Sequence, residues 1–360
     1  MSYFRRILRG FLCLALGLCV LEVCARVDDT LTDGAPFFGP FRLEGSLFTA
    51  DEFGITGKPY AHYRQWTLNS RGERGPEFLP DREHVICIGA SETFGFAESP
   101  EMEYPRQLER ELNAREGCAR YQVLNLSHPG QTLVNFTRRI NKVTADLRPR
   151  IAVVYPDPVF YFFPPSLDDD EVAGQKSSGF ESRILAKISD LPLPEWAVRM
   201  RYEHHIRSAT RHAVVLSRAP APSMERFQRD LSLLLDRLEK NHVQPLLVTH
   251  ANRFARGVLP EDRMAMLVWR YTMPTLDESA LLDFENRGND IIRKAAAARN
   301  IPLADAAARV SGGADFSDYA HFTNRGAHLV AAVIAAKLLE FDDPSGCKRT
   351  QASNETRRQN

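Results

Sequence analysis

The chain has 360 residues, enough to bury a large core in one elaborated domain or two small ones. Its 44% hydrophobic and 26% charged content is ordinary for a globular protein and excludes wholesale disorder. The 46 basic and 46 acidic residues cancel, which excludes the basic footprint of a nucleic-acid binder.

The chain opens on a targeting signal. Arg5, Arg6 and Arg9 precede an uncharged run from Gly10 to Leu21, which Glu22 interrupts. That length suits a secretory apolar region better than a membrane span of about 20 residues. Val23-Cys24-Ala25 offers a signal-peptidase site. Because the basic flank is N-terminal, an uncleaved anchor also leaves the remainder outside the cytoplasm. Residues 1–27 are therefore a predicted signal anchor or signal peptide, the anchor being the preferred reading. The extracytoplasmic side is the expected location, periplasmic and tethered to the inner membrane, or secreted if the segment is cleaved.

Residues 28–80 are rich in glycine, proline and aromatics without a sustained period, and predict an irregular arm or a few short strands. From His84 the pattern changes. Predicted strands at 84–89, 121–126, 151–155, 245–249 and 301–305 alternate with predicted helices at 105–115, 132–147, 277–300 and 324–339. Phe227, Leu231, Leu234, Leu235 and Leu238 fall on one face of a further helix before the fourth strand. Such alternation predicts about five parallel strands in a three-layer α/β/α sandwich spanning 81–341. The stretch 162–221, with Pro164-Pro165 and a basic run from Arg199 to Arg218, is too long for a plain connection and predicts an insertion beside the site, partly helical. The polar tail, 342–360, is predicted disordered. Cys118 and Cys347 are candidates for a disulfide in an oxidising compartment, and Cys87 reads as a buried small hydrophobe.

Three motifs carry chemistry. Gly89-Ala-Ser91-Glu-Thr-Phe-Gly95 lies between a strand and a helix, where a serine is exposed beside the positive end of a helix dipole. Taken alone, that serine reads better as a helix cap. Asp318-Tyr-Ala-His321 places a carboxylate three residues before a histidine, so that the carboxylate accepts the Nδ1 proton and leaves Nε2 facing a serine. Asn125-Leu-Ser-His-Pro-Gly130 ends the second strand, with the Gly130 N–H available to a developing oxyanion. His204, His205 and His212 lack further ligands at metal-site spacing and read as a polar helix face.

The order of these blocks resembles the SGNH (GDSL-like) hydrolases, over about Val85 to Leu339 with the insertion excepted. The turn Asn69–Pro76 resembles one that precedes the nucleophile block in membrane-anchored bacterial members. The resemblance implies a flavodoxin-like fold and a serine esterase. Ser91 is then nucleophile and first oxyanion donor, Gly130 second donor, His321 general base and Asp318 its orienter, with no cofactor required. It also implies an O-acyl substrate, such as an acetylated cell-surface glycan or a small ester, and leaves hydrolysis and acyl transfer open.

One block departs from the family. Where an asparagine is usual after the third strand, the chain reads Tyr155-Pro-Asp-Pro158, and a carboxylate at Asp157 would oppose an oxyanion. Three readings stay open. Another side chain supplies the donor, with Asn252, Arg253, Arg71 and Arg74 as candidates; two backbone donors suffice; or the site only binds, as an accessory glycan-binding protein.

Overall fold

The computed structural model describes residues 2–38, 41, 43–163, 183, 184, 187 and 193–342. The predicted tail, Cys347 with its candidate bridge to Cys118, and much of the predicted insertion lie outside them. The N-terminal apolar stretch forms a single helix, α1 (Ser2–Asp33), running through the candidate cleavage site. Its residues Phe4–Asp33 contain an 18-residue window of mean hydropathy 2.2, enough by length and composition to cross a membrane. In its last third, Arg26 donates to Glu22 at 2.8 Å and to the carbonyl of Phe37 at 2.7 Å.

The arm is more ordered than its composition suggests. A short helix, α2 (Leu43–Leu47), precedes two antiparallel pairs, β1 (Phe48–Asp51) with β2 (Gly54–Gly57) and β3 (His62–Tyr63) with β4 (Trp66–Thr67). Two-stranded ribbons are marginal alone. Here Leu47, Phe48, Tyr63, Trp66 and Leu68 close a small apolar core on Phe94, three residues after Ser91. The arm thus braces the turn that carries Ser91.

The central sheet is wholly parallel: β5 (Glu83–Ile88), β6 (Tyr121–Asn125), β7 (Ile151–Val154), β8 (Gln244–Val248) and β9 (Leu303–Ala304), in the order β6-β5-β7-β8-β9. This is the flavodoxin-like order, with its switch point between β5 and β7. Side chains alternate faces, and both faces are covered, so the strands read as continuous apolar runs. Ile86, Ile88, Leu124, Ala152, Val154 and Leu247 join the core under α5 (Leu133–Leu147), α7 (Ala221–Lys240) and α9 (Glu278–Arg299). Val85, Cys87, Val123, Val153, Leu246 and Val248 belong to the opposite core, with α4 (Tyr104–Glu116) and α10 (Asn324–Phe341). On α7 the five apolar residues read from the sequence are all buried, each worth roughly 1.5–3 kcal/mol against exposure.

Local signals fix the helix ends that matter. Asp277 caps α9 by accepting from Ala280 N–H at 2.9 Å, and Thr323 caps α10 by accepting from Gly326 N–H at 3.2 Å. Two further helices bound the site: α6 (Glu195–Thr210) and α8 (Arg263–Thr272). They pack through Tyr202 and His205 against Tyr271, with ring centroids 4.4 and 4.5 Å away. α8 escaped the sequence reading because it is only ten residues long and no strand directly follows it.

Candidate functional site

Ser91 stands at the first turn of a one-turn helix, α3 (Ser91–Phe94), directly beyond β5. Gly89 makes the turn feasible: a Cβ there would meet Thr93 Oγ1 at 2.0 Å and the Tyr155 carbonyl at 2.8 Å. From the far end of the chain, the turn before α10 brings His321 across the strand ends. His321 Nε2 lies 2.9 Å from Ser91 Oγ, and Nδ1 lies 2.6 Å from Asp318 Oδ2. The other oxygen of Asp318 accepts the backbone N–H groups of Ala320 and His321 at 2.8 Å each, which locks the carboxylate. The three residues singled out in sequence are thus one hydrogen-bonded line, serine to imidazole to carboxylate.

Electrostatics follow that line. Burial works to raise the Asp318 carboxyl, but the hydrogen bond and charge of His321 outweigh it and hold the group below its ordinary value. Burial depresses His321, yet Asp318, then Glu92 and Glu98, push the imidazole above its ordinary value.

Beneath Ser91 lies a second cluster that the sequence did not reveal. Glu92, the residue after the serine, is buried, with Oε2 3.4 Å from Ser91 Oγ and Oε1 3.6 Å from His250 Nε2. His250 Nδ1 is 2.7 Å from Glu285 Oε2, and its backbone is clamped by Asn289 through bonds of 2.7 and 2.8 Å. Asp157 completes the group, accepting from Val159 N–H at 2.8 Å. Gly288 lets α9 approach this loop, since a Cβ there would meet Pro158 Cγ at 2.3 Å. Glu92, Asp157 and His250 offer ligand atoms within 4.8 Å of one another, the set among the described residues able to hold a metal ion.

The cluster changes one expectation. Asp157 does not present a full negative charge: burial, and then the neighbouring carboxylates Glu92 and Glu285, push it up to about 8 against the pull of His250. In the same cluster, burial alone would depress His250, but Glu285 and then Tyr155 and Asp157 raise it. Burial would likewise raise Glu92, and His250 holds it down.

Above Ser91 and His321 opens a cavity of about 260 Å³. Phe160, Phe163, Trp269, Met273 and Tyr319 give it apolar walls, and Glu92, Asp157 and His250 form its floor. Phe254, Trp269 and Tyr319 stack in series, with centroids 5.6 and 5.4 Å apart and planes within 11° and 6°. These aromatics come from α8 and from loops, where no periodicity marked them.

The four polar side chains that are candidates for a further donor have these partners among the described residues. Arg74 is buried behind α3; its Nη1 donates to the carbonyls of Phe94, at 2.9 Å, and Gly95, and its Nη2 faces Glu103 at 3.4 Å. Arg71 pairs with Glu73 at 3.4 Å and Asp146 at 3.7 Å. Arg253 is held by Asp262 at 2.7 Å and donates to the carbonyls of Phe316 and Asp318 at 3.4 Å. Asn252 turns its carbonyl to the N–H of Phe254 at 2.9 Å. All four stand outside the cavity lining. Gly130 is exposed with φ 76° and also stands outside that lining, and its N–H and that of Ser91 donate to no group among the described residues.

Fold and site together define a flavodoxin-like sheet carrying a Ser–His–Asp line at its switch point. No family model and no curated protein matches the chain. Solved structures do. A putative lipolytic protein of the G-D-S-L family from Desulfitobacterium hafniense DCB-2 is 13% identical over 71% of this chain and 99% of its own, with a TM-score of 0.40. The acetyl xylan esterase AlAXEase is 15% identical, covering 70% and 98%, at 0.41. A catalytic mutant of Axe2, an acetylxylan esterase from Geobacillus stearothermophilus, is 12% identical, covering 71% and 94%, at 0.42.

Proposed function

We propose that the chain is a serine esterase of the SGNH type, working through an acyl-serine intermediate on small O-acyl groups. The observation that carries this reading is His321 bridging Ser91 Oγ at 2.9 Å and Asp318 at 2.6 Å. His321 Nε2 takes the Ser91 proton as Oγ attacks the ester carbonyl, and Asp318 stabilises the imidazolium that forms. The Ser91 N–H, with that of Gly130 as second donor, receives the oxyanion. The imidazolium then returns its proton to the leaving alkoxide, and water or another hydroxyl releases the acyl group by the reverse steps. Hydrolysis and transfer share these residues and differ in the acceptor.

The small cavity with apolar walls favours a short acyl chain such as acetyl over a fatty one. An acetylated extracytoplasmic glycan or a small ester is the proposed substrate class. We place α1 in the membrane as an anchor, with the sheet domain on the extracytoplasmic side, because Arg5, Arg6 and Arg9 flank its N-terminal end.

The test is turnover of p-nitrophenyl acetate by the detergent-solubilised full chain, beside Ser91→Ala. Hydrolysis lost in the variant is the expected result. A folded wild-type chain that neither turns over the ester nor is labelled by a fluorophosphonate would leave a glycan-binding accessory protein as the reading.

A further inference from the structure

Outside the cavity, α6 presents an uncovered surface. It rests on α8 through Tyr202 and His205, and Ile206 on the same face is buried. On the opposite stripe stand Trp196 and Met200, 65% and 60% exposed, with Leu193 exposed just before the helix. Spacings of four, seven and four residues carry the same stripe onward from Trp196 through Met200 to Arg207 and Arg211. From Glu195 to Arg211 the sequence has four arginines against two glutamates. An apolar patch led by a tryptophan and continued by arginines is the composition of a helix lying in the headgroup layer of an anionic bilayer.

The chain path brings that helix to the bilayer edge. Glu22 to Asp29 follow the uncharged run of α1 and therefore sit where it leaves the hydrocarbon. Glu22 accepts the N–H groups of Arg183 and Ile184 at 2.9 and 3.1 Å. Arg183 reaches Asp29 at 3.3 Å, and Lys187 lies 2.8 Å from both Asp28 and Asp29. Only five residues separate Lys187 from Leu193. Six fully extended steps span about 20 Å, so Leu193 cannot stand farther than that from the end of α1.

We propose that α6 docks on the membrane surface through Leu193, Trp196 and Met200, with Arg207 and Arg211 on anionic headgroups. The inference rests on α1 being a membrane anchor. It has a consequence for the site, because α8, on which α6 packs, contributes Trp269 and Thr272 to the cavity wall, and Met273 follows directly. Helices pack at about 8–10 Å between axes, so docking holds that wall one helix layer above the lipid. Substrates presented at the bilayer surface then have the shortest path.

The chain provides its own probe. It has three tryptophans; Trp66 and Trp269 are 6% and 2% exposed, so Trp196 alone can report on lipid. The full chain is reconstituted into phosphatidylcholine–phosphatidylglycerol vesicles, with and without acyl chains brominated near the headgroup, beside Trp196→Phe and a Leu193→Glu/Met200→Glu double variant. We expect bromination to cut the Trp196 share of emission at least twofold. Trp196→Phe should remove the quenchable share, and the double variant should restore emission while still floating with the vesicles. Emission unchanged by bromination in chain that floats with vesicles overturns the docking and leaves the anchor intact. Wild-type chain that fails to float overturns the anchor, and the docking falls with it.

Discussion

Two histidine–carboxylate pairs flank the same serine turn, and they differ in what the second ring nitrogen meets. His321 gives one nitrogen to Asp318 and the other to Ser91 Oγ, and its side chain is 14% exposed at the cavity. His250 gives one nitrogen to Glu285, while its Nε2 has no hydrogen-bond partner among the described residues and faces Glu92 at 3.6 Å, with the side chain 1% exposed. An acid–imidazole pair is therefore not a catalytic unit by itself. The outer pair has the Ser91 hydroxyl at the end of its line, whereas the inner pair has only other acids. The inner cluster sets the charge beneath Ser91 and ties β7, β8 and α9 to the serine turn.

The comparison breaks if the two pairs respond alike to mutation. Ser91→Ala should lower ester turnover by about a million-fold, the scale seen when a triad nucleophile is removed, with folding intact by thermal melt. Asp318→Asn should cost about ten-thousand-fold in kcat, because the amide leaves the imidazole in the wrong tautomer. On the inner pair the loss should appear in stability. Glu285→Gln breaks a buried charged pair and should cost roughly 3–5 kcal/mol in urea unfolding. That cost is largest below the ordinary histidine range and shrinks as pH rises through the raised pKa of His250, where the native imidazole loses its charge.

The pH profile sharpens the contrast. Imidazolium cannot accept the serine proton, so activity falls as pH drops through the pKa of His321. With that value raised by Asp318 and Glu92, the acid limb of kcat/KM should have its midpoint above the ordinary 6.5. Arg71→Ala supplies the smallest effect, within about 0.5 kcal/mol of wild-type stability and with unchanged turnover, since its ion pairs are partly exposed and distant from the cavity.

The same contrast explains what was legible in sequence. Asp318 and His321 are three residues apart on one turn, so their pairing is local and readable. Ser91 stood out because a glycine-bounded strand–helix turn is a local signal too. The five-strand sheet was readable from apolar runs buried on both faces, although β9 proved to be two residues long. Glu92, Asp157, His250 and Glu285 come from four separate segments, and only the sheet order brings them together. No spacing announces such a cluster. The arm's short strands were foreseen but not their pairing, for a related reason: they are two to four residues long and are held by Phe94, a residue of another element. Arg74 and Arg253 show what charge alone leaves open. Their charge suggested substrate contact, yet the fold spends it on the carbonyls of Phe94, Gly95, Phe316 and Asp318, which hold the serine turn and the histidine loop.

The central claim is that Ser91 is a nucleophile because His321 accepts its proton. Its most direct test is intact and peptide mass spectrometry after fluorophosphonate treatment of the full chain, its His321→Gln variant and its Glu285→Gln variant at a temperature where each is folded. The account predicts one adduct, on Ser91, formed by wild type and Glu285→Gln but lost in His321→Gln. Labelling of Ser91 that persists without His321, or an adduct on a different residue, would contradict it.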